Sequence, residues 1–377
     1  MSNFIIEKMH DFIGFCIENS SAGSTTVPIL TRSILTSDDS RFYKFMESIS
    51  ELFFNNLNIS NNEIYKFIIL QHSDGMVNLY INDFKVIQTI RSKNPVILGQ
   101  TQKKDVIDII KINFPEINIV DTDKIIYCVK IGWKFGLFFD LDRHNELLSI
   151  EDMKKIIGSL HRYLSFQFVY ETFESQSESL YQNIFEDGWF PFVEIINQYK
   201  IIIEAYKDRF DFNNKINSVI EIFNQEKITE VTDKWWTNSF FNEKKLLINA
   251  GIDAFLQNNH AGFINCEKTL SSELEGILRK VFYDNTLKGN RVKINELLEH
   301  IKSMGVLKFG SEYSLLLPTP FFNYLNEIIF KNFDLEAGSL DLSRHTAAHG
   351  LADSDSYTKA RALQLILTLD QLYYFIK

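Results

Sequence analysis

The chain has 377 residues, of which 45% are hydrophobic and 23% charged, with 39 Lys+Arg against 49 Asp+Glu and a net charge of −10. That much apolar side chain can offset the entropy of ordering, so global disorder is excluded, and roughly 100–200 residues per domain gives two domains or three. The acidic balance argues against a broad face that coats nucleic acid, which needs an excess of cations to displace counterions, but it leaves room for a small basic site.

In chain order, the first apolar stretch is interrupted by Glu7, Lys8 and Asp11, so no export signal is expected. Phe4, Ile5, Met9, Phe12, Ile13 and Cys16 stand at helical spacing, which predicts helix within residues 1–60. From Ile64 to Asp140 short β-branched and aromatic runs predict strands at 67–70, 76–81, 85–90, 125–129 and 135–139, with one helical segment, 105–111, between them. Residues 1–145 therefore read as an α+β domain, in the position of a sensor or regulatory domain. Amphipathic helices follow, at about 151–172, 176–187, 192–208, 214–225, 242–257, 267–282, 293–303, 320–333, 340–349 and 357–376. They divide into a helical connecting region, 146–235, and an all-α C-terminal domain, 236–377, with the polar stretch 209–241 as the seam. The fold class expected is α+β overall. No uncharged apolar run reaches the ~18 residues a membrane span needs. Cys16, Cys128 and Cys266 are widely spaced and unpaired in pattern, which suggests neither a disulfide framework nor a thiolate zinc site and fits a reducing cytoplasm. The excess of Ile, Asn and Lys over Val, Ala and Arg fits an AT-rich bacterial coding bias.

The chemistry concentrates in Ser339-Leu-Asp-Leu-Ser-Arg344-His345-Thr-Ala-Ala-His349-Gly350. Ser339 suits a helix N-cap, Asp341 its first turn and Gly350 the position just past its end. On such a helix His345 and His349 share a face, and Arg344 is long enough to reach the same pocket. Histidine, with an unperturbed pKa of ~6.5, can accept or donate a proton near neutral pH, and arginine offers phosphate oxygens a planar fork of donors. The pair at i, i+4 is a weaker zinc candidate, because a metalloprotease helix carries Glu after the first His and here Thr346 stands there. Structural capping or core hydrogen bonding by the same residues is the other alternative.

Arg344-His345-x-x-x-His349 resembles the Arg-x(4–6)-His signature of the HEPN superfamily, with a polar residue directly after the arginine. The resemblance covers roughly residues 240–377 and leaves 1–230 unassigned. It implies an all-α domain with the motif on its third core helix and one long helix after it. It also implies a metal-independent endoribonuclease with no cofactor, in bacterial stress response or phage defence, with His349 in proton transfer, Arg344 on the phosphate and His345 ancillary. Such domains pair two motif helices about a two-fold axis. The small Ala347 and Ala348, together with the broad apolar surface of the last helix, predict a homodimer through the C-terminal helices. The alternatives are a catalytically silent scaffold of the same fold, and a small-molecule-binding regulator whose function lies in the N-terminal domain.

Arg279, Lys280, Lys288, Arg291 and Lys293 surround a single acid, Asp284, and read as a lip that binds substrate RNA or, equally, as a solvated helix end and loop. Glu273 and Glu275 read as surface carboxylates, with a positioning role toward Arg344 or His349 as the rarer outcome. Asp140, Asp142, Arg143 and His144 read as a polar loop rather than a metal cluster, and Trp235-Trp236 as packing rather than base stacking. No metal is expected. An unidentified small molecule or protein is the expected activator of residues 1–145.

Overall fold

The computed structural model describes residues 2–6, 12–18, 23, 26–54, 57, 63–142, 148–174, 179–288, 292–309, 314–331, 343, 346 and 352–376. The chain divides into two compact units, Met1–Gln167 and Phe168–Lys377. The first is built on a sheet and the second is helical, which gives an α+β chain. The dividing point falls inside the helix Ile150–Glu174, beside Phe166, whose backbone is non-helical (φ −127°, ψ 28°).

In unit 1 the strands are β1 (Ser2–Ile6), β2 (Phe15–Cys16), β3 (Ile29–Leu30), β4 (Arg32–Thr36), β5 (Lys66–Gln71), β6 (Val77–Ile81), β7 (Ile87–Ser92), β8 (Val106–Asn113), β9 (Lys124–Ile131) and β10 (Lys134–Asp140). Among the described residues β1, β6, β5, β9, β10 and β4, in that spatial order, form one antiparallel sheet. Each sheet face is buried, which is why β5 and β9 are apolar without alternation: Phe67, Ile69 and Cys128 join the core beneath helix α1 (Ser40–Ile49), while Ile68, Leu70 and Tyr127 are buried as well. Over the Tyr127 side lies the front of helix α2 (Ile150–Glu174). Leu160 and Leu164 of α2 come to Gly136, and Gly158 lets α2 approach the β8 backbone, since a Cβ there would stand 2.7 Å from the Lys111 Cα.

Two expectations for this region are corrected. Residues 105–111 are not a helix: Val106–Asn113 pairs with β7 as a strand. Its apolar residues fit either period, and the arbiter is tertiary, because Asp108 is fully buried against Arg162 of α2 at 3.0 Å. Ser2–Ile6 is likewise a strand, paired with β6, although its apolar residues also suit a helix. Phe15–Cys16, at the far end of the same spacing, is also strand, and the helix described in this region is Ser40–Ile49, which that spacing did not indicate; it is capped by Asp39, which accepts from the Arg41 N–H.

His161 of α2 lies buried between Gln88, 3.1 Å from Nδ1, and the Tyr127 hydroxyl, 2.7 Å from Nε2. Burial pushes its pKa down to about 4, so the folded chain holds it neutral. The unfolded chain takes up the proton near pH 6.5 and the folded one does not, so stability is fully present above pH 6.5 and falls as the pH drops toward 4. The loss from this group is about 3 kcal/mol. Urea unfolding followed between pH 7 and 4 should show the slope, and a His161→Gln variant should flatten it.

Unit 2 contains α3 (Ser179–Glu186), α4 (Tyr199–Lys207), α5 (Phe212–Ile220), α6 (Gln225–Asp233), α7 (Ser239–Glu243), α8 (Lys245–Leu256), α9 (His260–Thr286), α10 (Ile294–Phe309), α11 (Pro318–Tyr324) and α12 (Lys359–Ile376). The polar stretch 209–241 lies within this one compact unit. It carries α5 and α6, and Trp235 within it is fully buried, its indole N–H donating to Asp370 at 2.8 Å. Helix α12 is the axis of the unit, with every residue from Ala362 to Ile376 buried. Its polar members tie loops to it: Gln371 accepts from the Val193 N–H and donates to the Leu316 carbonyl, while Gln364 donates to the Asp187 carbonyl. The breadth of its apolar surface is thus accounted for within one chain and does not by itself call for a second. No helix among the described residues is long and apolar enough to cross a membrane.

Candidate functional site

Of the motif segment, Ser343 and Thr346 are described; Ser339, Arg344, His345 and His349 lie outside the described residues, as do Asp341, Ala347, Ala348 and Gly350. Ser343 and Thr346 form a reciprocal pair. Thr346 Oγ1 accepts from the Ser343 N–H at 2.8 Å, and Ser343 Oγ accepts from the Thr346 N–H at 3.3 Å. This is the geometry of a capping box, with threonine in the place of the usual acid or amide. Both residues are buried.

The expected basic patch is split by the fold. Arg279, at the end of a turn of α9, pairs with Glu275 at 2.8 Å and donates to the Val292 carbonyl at 3.1 Å. With Lys293 it lines a cleft of about 500 Å³ at the start of α10. Lys331 completes the cationic lining there, together with the amides of Asn295 and Asn326 and the ring of Phe330, and among the described residues no carboxylate joins them. Lys280 is drawn instead toward Glu243 and Asp284, at 3.7 and 4.0 Å. Lys288 is exposed outside the cleft, and Arg291 lies outside the described residues.

A second cleft of about 610 Å³ shares Lys331 and is lined further by Arg361, Gln182, Asn323, Glu327 and Asp187. Between the two runs a π-helical turn, Leu325–Ile329, a geometry that recurs at functional sites. The Arg361 guanidinium donates to the Glu186 carbonyl at 3.3 Å and to Gln364 at 3.4 Å. Gly188 makes room for it: its φ is +81°, and a Cβ there would collide with both Arg361 and Gln364. Deeper in the unit, burial holds the Glu267 carboxyl well above the usual carboxylate range, and the Arg361 charge only partly offsets this. Sequence reading missed Lys331 and Arg361. Arg361 stands in an amphipathic helix and Lys331 just past a helical segment, where a cation usually marks the solvated face, and only the packing of α3, α11 and α12 brings them to one cleft.

Glu273 and Glu275 are corrected from surface carboxylates to largely buried ones: their side chains are 12% and 11% exposed, paired with Lys244 and Arg279. Asp140 is ion-paired with Arg32, its cross-strand partner, at 3.1 Å. Arg143 and His144 lie outside the described residues. Among the described residues no cluster of His, Cys, Asp and Glu has the makings of a metal site.

The chain is thus an α+β protein whose helical unit holds a cleft lined by Arg279, Lys293 and Lys331. No protein-family model, curated protein or solved structure matches it.

Proposed function

We propose that the chain is a metal-independent endoribonuclease of HEPN type, acting in bacterial stress response or phage defence in the cytoplasm. The observation that carries this reading is Arg344-His345-x-x-x-His349 standing just before the buried last helix of a helical unit. The cleft lined by Arg279, Lys293 and Lys331 in the same unit supports it, since a polyphosphate is drawn by cations and among the described residues no carboxylate lines that cleft, although Arg279 is paired with Glu275. His349 takes the proton from a ribose 2′-hydroxyl or returns one to the departing 5′-oxygen. The 2′-oxygen bonds to phosphorus as the P–O5′ bond breaks, and Arg344 stabilises the charge gathered on the phosphoryl oxygens. The products are a 2′,3′-cyclic phosphate and a 5′-hydroxyl. His345 donates a second proton or orients its neighbours.

Purified protein incubated with total RNA in EDTA tests this. Cleavage is expected, strongest between about pH 6 and 8, and absent from Arg344→Ala and His349→Ala proteins. Ends bearing a 5′-phosphate, or an absolute need for Mg²⁺, would sink the assignment, and intact RNA would favour the silent scaffold. Binding supplies an independent measurement. In a His349→Ala background, replacing Arg279 and Lys293 by alanine should reduce the salt dependence of single-stranded RNA affinity by about 0.7 in log–log slope for each phosphate that the protein ceases to neutralise. A composite cleft formed with a second copy rests on the resemblance alone. Light scattering checks it, and a strict monomer that still cleaves RNA at low concentration would refute it.

A further inference from the structure

Unit 1 contains a cleft of about 490 Å³ at one end of its aromatic core, a volume in the range of small-molecule sites. Its base is formed by the rings of Phe42, Phe54, Phe67 and Phe135, with Phe54 edge-on to Phe67 at 5.1 Å and Phe42 at 6.3 Å from Phe135. At its rim stand Tyr43 and Tyr65, 62% and 51% exposed, large apolar rings left in water beside an apolar floor. Between them the helix presents two carboxylates, Glu47 and Glu51, both exposed and neither in an ion pair among the described residues. They are one helical turn apart, where like charges repel and an opposite charge would be welcome. Among the described residues no Lys, Arg or His lines the cleft.

The backbone adds an independent observation. After Ile49 the helix widens into a π-helical stretch, Ser50–Phe54, and Ser50, Glu51 and Phe54 of that stretch all face the cleft. π-helical turns are rare and concentrate at functional sites. We propose that this cleft binds an organic cation with an apolar body, an alkyl- or aryl-substituted ammonium, as the effector of the N-terminal unit. The aromatic floor takes the apolar body, the ring faces take the cation through their quadrupoles, and Glu47 and Glu51 supply the countercharge. An anionic ligand is disfavoured by the same two carboxylates. The chain itself already uses one of these rings in this way: the Lys130 ammonium lies 5.2 Å from the centroid of Phe135. The proposal does not depend on the ribonuclease reading, because it concerns unit 1 alone.

The test uses the full chain and two probes of one shape, benzyltrimethylammonium and its uncharged carbon isostere neopentylbenzene, titrated by ligand-observed NMR. The cation is expected to bind about tenfold more tightly than the isostere at low ionic strength. A Glu47→Gln/Glu51→Gln protein should lose most of that preference while still binding the isostere. Raising NaCl from about 20 to 300 mM should erode the preference in the unaltered chain, a readout that needs no variant to fold. Equal affinities for the two probes would mean an apolar cleft with no cation selectivity, and absence of saturable binding by either would mean no site; each overturns the proposal. A preference unchanged by both salt and the double substitution removes Glu47 and Glu51 from it.

Discussion

Under the proposed ribonuclease reading, RNA cleavage by an Arg344→Lys protein is expected to fall by about 10²–10³-fold, with its thermal unfolding unchanged. Lysine keeps the positive charge, so RNA still collects on the protein and the affinity for uncleaved RNA stays near that of the unaltered chain. What is lost is the planar pair of donors that meets two phosphoryl oxygens at once. That pairing gains strength as charge gathers on those oxygens, so its loss falls on the rate rather than on binding. Single-turnover cleavage of a labelled RNA, with the protein in excess, separates the two quantities. A wild-type rate in the Arg344→Lys protein would remove Arg344 from the transition state. A loss of affinity with no loss of rate would make it a binding residue only.

The largest stability effect is expected at Lys234, which lies under the last helix. Its ammonium stands 2.8 Å from Asp370 and 3.0 Å from Glu194 and donates to the Tyr374 hydroxyl at 2.8 Å. Burial alone would push the Lys234 ammonium down, but Asp370 and Glu194 outweigh it, and the net shift is upward. Asp370 is raised by its own burial, with Lys234 opposing. A Lys234→Met substitution leaves both carboxylates in place. Glu194 keeps Lys227 at 3.0 Å, but Asp370 retains only neutral donors such as the Trp235 indole. Stranding a buried charge in this way costs about 3–5 kcal/mol, a large share of the total stability of a domain. The urea midpoint should fall accordingly, and adding Asp370→Asn should restore part of it. In the Lys234→Met protein Asp370 folds preferentially in its protonated form, so its folded pKa lies further above the unfolded one. The deficit relative to the unaltered chain should therefore be smaller at pH 5 than at pH 8. An equal deficit at both would show that lost packing, rather than the stranded carboxylate, sets the cost.

How far the chain could be read without its fold depended on how local the deciding interaction is. Runs such as Lys66–Gln71, Lys124–Ile131 and Lys134–Asp140 are rich in β-branched and aromatic residues from end to end, and they are strands as read. The helices of the second half announce themselves by a 3.6-residue period sustained over several turns, as in α9 and α12. Where the period was short or ambiguous the reading failed. Residues 2–6 and 106–113 carry apolar spacings that suit helix and strand alike, and what decides between them is pairing with β6, far along the chain, and with β7, the preceding strand.

The same division holds for the candidate sites. Residue types and spacing alone single out Arg344, His345 and His349, because proton transfer and phosphate binding need those side chains whatever surrounds them. A cation's fate is not legible in that way. Arg279 and Lys293 meet Lys331 in one cleft, whereas Lys280, adjacent to Arg279 in sequence, turns toward Glu243 and Asp284. Glu273 and Glu275 are buried because Lys244 and Arg279 arrive to neutralise them, and Tyr43, Glu47 and Glu51 become the rim of a cleft only where α1 meets the sheet. Local propensity and side-chain chemistry are properties of a segment and were present in the sequence. Which charges are desolvated together, and which rings face one cavity, follow from approaches between segments distant in the chain and were decided by the tertiary structure.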